Sequence, residues 1–392
     1  MSILKFLHCA DIHLDMPFSY PGLTPEKAVE RRQDLLETFR RIIGLAKEEE
    51  VDALLICGDL YEHDYVRRST IAYINDAFKE IPHIKVFIVP GNHDPLVPNS
   101  FYANFQWSAN VSILSRERPC VLLEELNTCI YGVGFKSFYE DGTPAYELNG
   151  VDTRYINILM THGTVDMNVG RSVYNPMDSG KLSELGMDYI ALGHFHNRLE
   201  DMSGRGLVFN PGSPEALGFD EPGEHGVFIA AIEKDGRQGK KIDLRFVKTG
   251  ARCYEKLEVD VKGCSSFGEI MERLAAGIPL ENSRHRLVSV KLSGYMQQDV
   301  LLDMPRLLEM LNEKFFYARI KDETLPGYDL EKLALEHGIR GLFVRKILAG
   351  IEKSEDEHEK KLLADALFYG LEALDRGTVN LREGVAYADR KT

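Results

Sequence analysis

The chain has 392 residues, of which 44% are hydrophobic and 28% charged, and its net charge at pH 7 is −14. This balance is typical of a globular protein with two or three domains, and the sequence shows neither the long apolar run of a membrane helix nor the pattern of a secretory leader. The acidic charge argues against a generic nucleic-acid binder. Six cysteines without a C-x-x-C pair favour a reducing compartment, so we expect a cytoplasmic protein without membrane contact.

A first domain is predicted over residues 1–250. Near-continuous runs of Val, Ile and Leu with helices between them are typical of strands buried on both faces, and hence of an α/β layered domain. The residue pattern then changes, and a hairpin-like pair of strands is predicted over 226–247. In chain order, the earlier predicted strands lie within 3–10, 52–59, 84–92, 128–135, 156–163, 187–195 and 206–213, and the predicted helices cover 26–50 and 68–79.

Two further regions are predicted after residue 250. Residues 251–325 read as a small β-α-β-α-β domain with helices over 265–276 and 300–314. Residues 326–392 read as amphipathic helices, which either pack on the rest of the protein or dock on a partner.

Polar residues of metal-ligand type follow the predicted strands at five places. In open α/β sheets, ligands collect at the carboxyl ends of the strands, so we expect these side chains to converge. In D-I-H and H-F-H the paired residues point to the same side when the chain is extended. The candidates are Asp11 and His13; Asp59; Asn92, His93 and Asp94; His162; and His194 and His196.

The composition of this set predicts a pair of metal ions. Imidazole and carboxylate ligands suit Mn, Fe or Zn, with Mn as our first choice, better than calcium. The ligands exceed what one ion uses, and two ions sharing Asp59 would activate water for displacement at phosphorus. Next to the ligand Asn92, His93 is free to donate a proton to the leaving oxygen, and Asp94 is expected to orient its imidazole.

The motifs D-x-H, G-D, G-N-H-D, H-G and G-H-x-H occur in this order along the chain. As a set they resemble the signature of the calcineurin-like metallophosphoesterase superfamily. The resemblance implies a β-sandwich flanked by helices, a dinuclear metal site and hydrolysis of a phosphoester. It assigns one ion to Asp11, His13, Asp59 and His196, and the other to Asp59, Asn92, His162 and His194.

The flanking segments FLHCADIHLD, ICGDLYEHDY and NPGSPEALGF, followed by a small domain, resemble the SbcD group of DNA repair exonucleases and within it the YhaO-like branch. In that group the phosphoesterase forms a homodimer, works with an SbcC-like coiled-coil ABC-type ATPase and degrades DNA with Mn²⁺. The resemblance implies that 251–325 is a capping domain that contacts DNA and that 326–392 docks the ATPase.

At one position the chain departs from the pattern of some relatives, which have a histidine three residues after the bridging aspartate. Here Glu62 takes that place and His63 follows it. The candidate phosphate or DNA contacts are His63, Arg67 and Arg68, with the basic segments Arg31-Arg32 and Arg284–Arg286 as further candidates for DNA.

The leading hypothesis is a DNA exonuclease subunit with some endonuclease ability that acts in repair. A first alternative is a phosphodiesterase or phosphatase that uses the same site on nucleotides or phosphoproteins. A second is a non-enzymatic scaffold that regulates an ATPase while its metal site has decayed, which the complete ligand set disfavours.

Overall fold

The computed structural model describes residues 2–142, 144–148, 150–166, 174–235, 239–278, 283–296, 300, 302–377 and 379. The chain divides into two compact units, Met1–Tyr254 and Glu255–Thr392. The finer division into domains over 1–250, 251–325 and 326–392 stays a prediction. Among the described residues, no helix combines the length and the apolar composition needed to cross a bilayer.

The first unit contains eleven described strands and four described α-helices. The strands are β1 Ser2–Cys9, β2 Ala53–Cys57, β3 Lys85–Val89, β4 Val111–Ile113, β5 Cys120–Leu123, β6 Thr128–Val133, β7 Ile156–His162, β8 Tyr189–Gly193, β9 Val208–Phe209, β10 Gly226–Asp235 and β11 Gly239–Lys248. The helices are α1 Pro25–Glu48, α2 Arg68–Lys79, α3 Phe101–Asn104 and α4 Ser179–Leu182.

These strands form two sheets, in the orders β11-β10-β1-β2-β3-β4 and β5-β6-β7-β8-β9. Strands β1 to β4 are parallel to one another, as are β6 to β9, whereas β10, β11 and β5 pair antiparallel with their neighbours. The two sheets share a buried core, which includes Phe6, Leu55, Phe87, Ile130, Ile158 and Tyr189. The predicted α/β fold with sheets flanked by helices is therefore confirmed.

Helices α1 and α2 cover the outer face of the first sheet. Helix α1 begins at the predicted place because Thr24 accepts a hydrogen bond from the Lys27 amide and Pro25 opens the helix. Its apolar face, with Leu35, Phe39 and Ile42, is fully buried in a second core with strand residues.

Three parts of the first unit differ from expectation. The strand expected within 206–213 is only Val208–Phe209, because the next residue, Asn210, leaves the sheet and pairs with Leu199. The short strands β4 and β5 were not predicted. Their side chains are half-buried or exposed, and with three and four residues they are too short to give the long apolar run that marks the central strands.

The second unit contains the remaining elements. They are β12 Cys253–Asp260, α5 Phe267–Gly277, β13 Arg286–Ser293, β14 Tyr295–Met296, α6 Met304–Lys314, β15 Tyr317–Asp322, β16 Leu325–Pro326, α7 Leu330–Ala334, α8 Ile339–Lys353 and α9 Glu357–Arg376. Its first strand, β12, begins two residues before the boundary at Glu255. Strands β12, β13 and β15 form one sheet, whose core includes residues of α5 and α6. Helices α7, α8 and α9 share a separate apolar cluster.

The predicted helices of this unit are present with shifted starts. Ser266 and Asp303 cap α5 and α6 through hydrogen bonds from Glu269 N and Arg306 N, so each helix begins after its cap. The end of the predicted helical region, 380–392, lies outside the described residues.

Candidate metal centre

The predicted metal ligands meet where strands of both sheets end. Asp11 and His13 follow β1, Asp59 follows β2, Asn92 follows β3, His162 ends β7, and His194 and His196 follow β8. Four of these residues have positive φ: Asp11 (53°), His13 (49°), Asp59 (51°) and His194 (99°). Non-glycine residues are strained in this region of φ, and such strain persists where the surrounding structure fixes a functional geometry.

One half of the cluster is built around two histidines. The Nε2 atoms of His13 and His196 lie 3.3 Å apart. Oδ2 of Asp59 lies 3.6 Å from Nε2 of His13, and Oδ1 of Asp11 lies 3.8 Å from Nε2 of His196. Donor atoms of Asp11, His13 and His196 thus come within 4.8 Å of one another.

The other half is centred on His162. Its Nε2 lies 3.3 Å from Oδ2 of Asp59 and 3.0 Å from Oδ1 of Asn92. Nδ1 of His194 lies 3.1 Å from the same Asn92 oxygen. Asp59 Oδ2 therefore approaches a histidine of each half, His13 and His162.

The hydrogen bonds around the cluster fit a bound cation. Nδ1 of His13, His196 and His162 faces a carboxylate or carbonyl oxygen, at Glu62 (2.7 Å), Glu221 (2.7 Å) and Cys57 (2.9 Å). Each Nδ1–H is thereby donated, so in the neutral rings each Nε2 presents a lone pair to the other acceptors of the cluster. A positive charge between them removes this repulsion, and partners behind the ligands are typical of metal-bound histidines.

The pKa values of two of the histidines show the same preference for positive charge, whereas that of a third is lowered. Burial acts to lower the pKa of His162, but Asp59 and Asp11 outweigh it and raise that pKa to about 9. Burial also opposes charge on His196, yet its hydrogen bond to Glu221 and the charge of Asp11 raise its pKa to about 9. Burial and the charge of His162 lower the pKa of His194 to about 3.

The glycines of the motifs are explained by how closely the backbone approaches the ligands. A Cβ on Gly91 would overlap Oδ1 of Asp59. Gly58 has φ of +83°, and a Cβ there would overlap the ring of His162. These glycines therefore leave room for the side chains of Asp59 and His162, two of the predicted ligands.

His93 lies beside the cluster, held by a residue that the sequence argument did not assign to it. Its backbone N–H donates to Oδ1 of Asp59 at 2.8 Å, and its Nδ1 lies 3.0 Å from Oε2 of Glu62. Burial acts to lower the pKa of His93, but Glu62 and Asp59 raise it to about 9. Burial acts to raise the pKa of Glu62, but hydrogen bonds with His13 and His93 lower it to about 2.

The expectation that Asp94 orients the His93 ring is wrong. The Asp94 carboxylate is fully buried and accepts hydrogen bonds from the backbone amides of Gly91, Asp59 and Leu60 and from the Tyr102 hydroxyl. Asp94 thus holds together the two loops that carry the ligands, while Glu62 contacts the imidazole.

Glu221 was also missed by the sequence argument. It is 4% exposed, and its second oxygen accepts hydrogen bonds from the Leu217 amide and the Ser213 hydroxyl. No signal in the motif set pointed to it, because it lies in a loop 25 residues after His196.

Comparison with known proteins identifies the domain that carries this cluster. Residues 4–198 match the calcineurin-like phosphoesterase family. The chain carries a calcineurin-like metallophosphoesterase domain. The predicted family is thereby confirmed for this domain, which is of the metal-dependent phosphoester hydrolase type.

Two relatives and one solved structure illustrate the similarity of the phosphoesterase chain. It is 29% identical over 271 residues to the uncharacterized metallophosphoesterase YhaO of Bacillus subtilis, and the match covers 66% of this chain and 63% of that protein. It is 22% identical over 375 residues to the DNA double-strand break repair protein Mre11 of Saccharolobus solfataricus, with 91% and 92% of the two chains covered. The crystal structure of TT1561 of Thermus thermophilus is 14% identical, with a TM-score of 0.39 and coverage of 63% and 100%.

The basic candidates in the phosphoesterase domain have differing surroundings. Arg31 is fully buried and donates to Asp34 (2.7 Å) and Glu215 (2.8 Å), so the expectation that it contacts DNA is wrong. Arg67 is exposed, but Asp15 accepts hydrogen bonds from both its backbone and its guanidinium group.

The other candidates also differ in exposure. Arg68 is exposed at the start of α2. His63 donates its backbone N–H to the His93 carbonyl and lines a pocket beside the cluster. In the second unit, Arg286 is largely buried and paired with Glu255, which argues against a role in DNA contact.

Proposed function

We propose that the chain is an SbcD-like DNA nuclease subunit that acts in DNA repair through a dinuclear metal site. The observation that carries the metal chemistry is the convergence of Asp11, His13, Asp59, His162 and His196 with His93 beside them. DNA as the substrate is supported by the similarity to a DNA double-strand break repair protein, which extends over 91% of the chain and thus beyond the phosphoesterase domain.

In this proposal two divalent cations, Mn²⁺ first and Fe or Zn as alternatives, occupy the two halves of the cluster. Asp11, His13, Asp59 and His196 would hold one, and Asp59, Asn92, His162 and His194 would hold the other. When bound, such a pair would supply Lewis-acid polarisation of the phosphoester and a water nucleophile of lowered pKa. Glu62, Glu221 and the Cys57 carbonyl fix the ring orientation of the histidine ligands by accepting from their Nδ1 atoms.

His93 is proposed to act as the general acid. Its side chain is 45% exposed, so a substrate can reach it, while its backbone N–H holds Asp59. Glu62 keeps Nδ1 protonated and turns Nε2 outward, where it can donate a proton to the leaving oxygen. The carboxylate that orients a histidine ligand, His13, thus also orients the proposed acid.

We propose that the second unit contacts DNA and binds the partner proteins. A concave surface there carries Lys256, Lys291, Arg319 and Lys321 on the sheet. Lys291 and Lys321 pair with Glu323 at 3.1 Å and 2.9 Å, so part of this charge is compensated. We propose this surface as the capping-domain contact to DNA, α7 to α9 as the docking region for an SbcC-like ATPase, and a homodimer as the working form.

A nuclease assay tests the proposal. Blunt, overhanging and single-stranded DNA are incubated with the protein and Mn²⁺, with and without a coexpressed coiled-coil ATPase, and small phosphoesters are assayed in parallel. We expect DNA cleavage that an Asp59→Ala variant lacks. Turnover of the small esters with intact DNA would favour a nucleotide or phosphoprotein phosphoesterase, and unchanged activity of the Asp59→Ala variant would refute the metal site.

A further inference from the structure

A pocket next to His93 is lined by two exposed aromatic side chains and one half-buried tyrosine, Tyr174. Its lining residues are Glu62, His63, Asp64, Asn92, His93, Phe138, Tyr139 and Tyr174. Tyr139 is 67% exposed and Phe138 is 38% exposed, although both are large apolar rings. We call Phe138, Tyr139 and Tyr174 the aromatic wall.

The aromatic wall is continuous with the metal centre. The rings of Tyr139 and Tyr174 lie 6.0 Å apart at 35°, and Tyr174 lies 5.3 Å from the ring of His194, a proposed ligand. On the other side, Phe138 contacts His63 edge-to-face at 5.4 Å. A planar group entering the pocket would therefore contact aromatic rings in the same pocket that the proposed general acid, His93, lines.

The charge of the pocket limits what can occupy it. Asp64 is part of its lining, as is Glu62, whose charge is partly offset by His13 and His93, so a second phosphate group in the pocket would be less favoured than a neutral group. A neutral planar group is compatible with both the carboxylates and the rings. In a nucleic-acid strand, the neutral planar group attached nearest to a given phosphate is a nucleobase.

We propose that the aromatic wall binds one unpaired nucleobase of the strand being cleaved, next to the reacting phosphate. This inference rests on the proposed nuclease function and names its substrate more closely. A base can stack on the wall only after it has left its own helical stack, and unpairing is least costly in single strands and frayed ends. The protein should therefore prefer single-stranded DNA and unpaired ends over blunt duplex ends.

An abasic nucleotide moved along a single-stranded oligonucleotide tests the base site without altering the protein. Cleavage at each phosphate is measured with Mn²⁺ on a sequencing gel. We expect cleavage at the phosphate on one fixed side of the abasic nucleotide to be slowed about five- to a hundredfold, because the stacked base is absent. Equal cleavage at all positions would refute the base site while leaving the nuclease function in place.

Substitutions in the aromatic wall provide the matching test on the protein. On the intact strand, Tyr139→Ala should be slower than the wild type by about the factor that the abasic nucleotide costs the wild type. On the abasic strand, where the base is already missing, Tyr139→Ala and the wild type should cleave at similar rates. Tyr139→Phe keeps the ring and should retain most of the cleavage that Tyr139→Ala loses. Tyr73→Ala removes a tyrosine that is 37% exposed on α2, outside this pocket, and should leave cleavage unchanged.

A binding measurement separates this inference from catalysis. Fluorescence anisotropy of a labelled single strand, with EDTA present, should show weaker binding by Tyr139→Ala than by Tyr139→Phe. Identical affinities of the two variants would contradict stacking at the wall. Failure of the wild type to cleave or bind any oligonucleotide would overturn the nuclease proposal and the base site together, and is distinct from cleavage that ignores the abasic nucleotide.

Discussion

The Nε2 atoms of His13 and His196 face each other at 3.3 Å. Both nitrogens are acceptors in the neutral rings, since Glu62 and Glu221 take the hydrogens on the opposite sides. A cation bound only by the folded protein relieves this repulsion and stabilises the fold. At a Mn²⁺ concentration a hundredfold above the dissociation constant, we expect about 2.7 kcal/mol of added stability per site, measured by thermal or urea unfolding with EDTA or Mn²⁺.

The His196→Ala variant is the control for this gain. It removes one of the opposed nitrogens and also the hydrogen bond to the buried Glu221, so stability in EDTA should fall, and most of the further gain on adding Mn²⁺ should disappear at that site. An equal gain in the variant would mean that Mn²⁺ binds elsewhere.

Glu221→Gln should weaken metal binding without impairing the chemical step. The variant keeps the shape of the side chain but loses the charge that orients His196, and loss of such partners typically costs about ten- to a hundredfold in metal affinity or activity. Isothermal titration with Mn²⁺ should show the weaker binding, and turnover should recover when Mn²⁺ is saturating. Persistent inactivity at saturating Mn²⁺ would show that Glu221 does more than orient a ligand.

Glu62→Gln should behave differently, although the substitution is chemically the same. Glu62 contacts both His13 and His93, so its loss weakens metal binding and also releases the proposed general acid. We expect turnover to remain about ten- to a hundredfold low even at saturating Mn²⁺. The comparison with Glu221→Gln is decisive. If turnover of both variants recovered to the same level at saturating Mn²⁺, Glu62 would act only by orienting the metal ligand His13.

The central strands and the ligand motifs could be predicted because their signals are local. Buried parallel strands leave continuous apolar runs, and the polar residues directly after those runs reach a common edge. This local signal placed Asp11, Asp59 and His162 correctly at the strand ends. It did not find β4 or β5, whose side chains are only partly buried.

The supporting residues could not be predicted because their partners are distant in sequence. Glu62 meets His13 across 49 positions, and Arg31 pairs with Glu215 across 184. A charged residue on a helix is usually solvated, so nothing local marks Arg31 as a buried ion-pair partner. For Asp94, its position next to His93 in the sequence suggested a contact with that ring. Its carboxylate instead accepts hydrogen bonds from backbone amides.

His93→Ser should abolish turnover of DNA while both metals remain bound. The ring of His93 contacts Glu62 and the His13 ring, whereas the bond to Asp59 comes from its backbone N–H, which the substitution keeps, so we expect the cluster to stay in place. Loss of a general acid typically costs about 10²–10⁴-fold in rate. Elemental analysis measures the metal content, and loss of metal from the variant would contradict the role assigned to His93.

The leaving group provides an independent check on His93. An ester that releases p-nitrophenol needs little protonation of the departing oxygen, so His93→Ser should impair it much less than DNA. Equal losses on both substrates would indicate that His93 acts by positioning rather than by proton donation.

The pH dependence of stability should carry the signature of His8. This buried ring lies 3.0 Å from the Tyr189 hydroxyl and 3.1 Å from the Leu192 carbonyl, an arrangement that satisfies the neutral form. Burial lowers the pKa of His8 from 6.5 to about 3, and the hydrogen bond to Leu192 offsets this only in part. Between these two pH values the unfolded chain binds a proton that the folded chain does not, so stability falls as the pH falls.

Below pH 6.5, His8 should therefore contribute a loss of up to about 1.4 kcal/mol per pH unit, ending near pH 3. Urea unfolding at pH 7, 6 and 5 in EDTA measures this pH dependence of stability. The other titrating groups, including those of the metal cluster, contribute equally to the variant and the wild type, so the difference between the two slopes reports His8. His8→Gln should show a shallower decline, whereas Tyr189→Phe, which keeps the imidazole, should lose about 1–3 kcal/mol at each pH with the slope retained. A His8→Gln slope equal to that of the wild type would mean that His8 accepts a proton in the folded state, against the assignment made here.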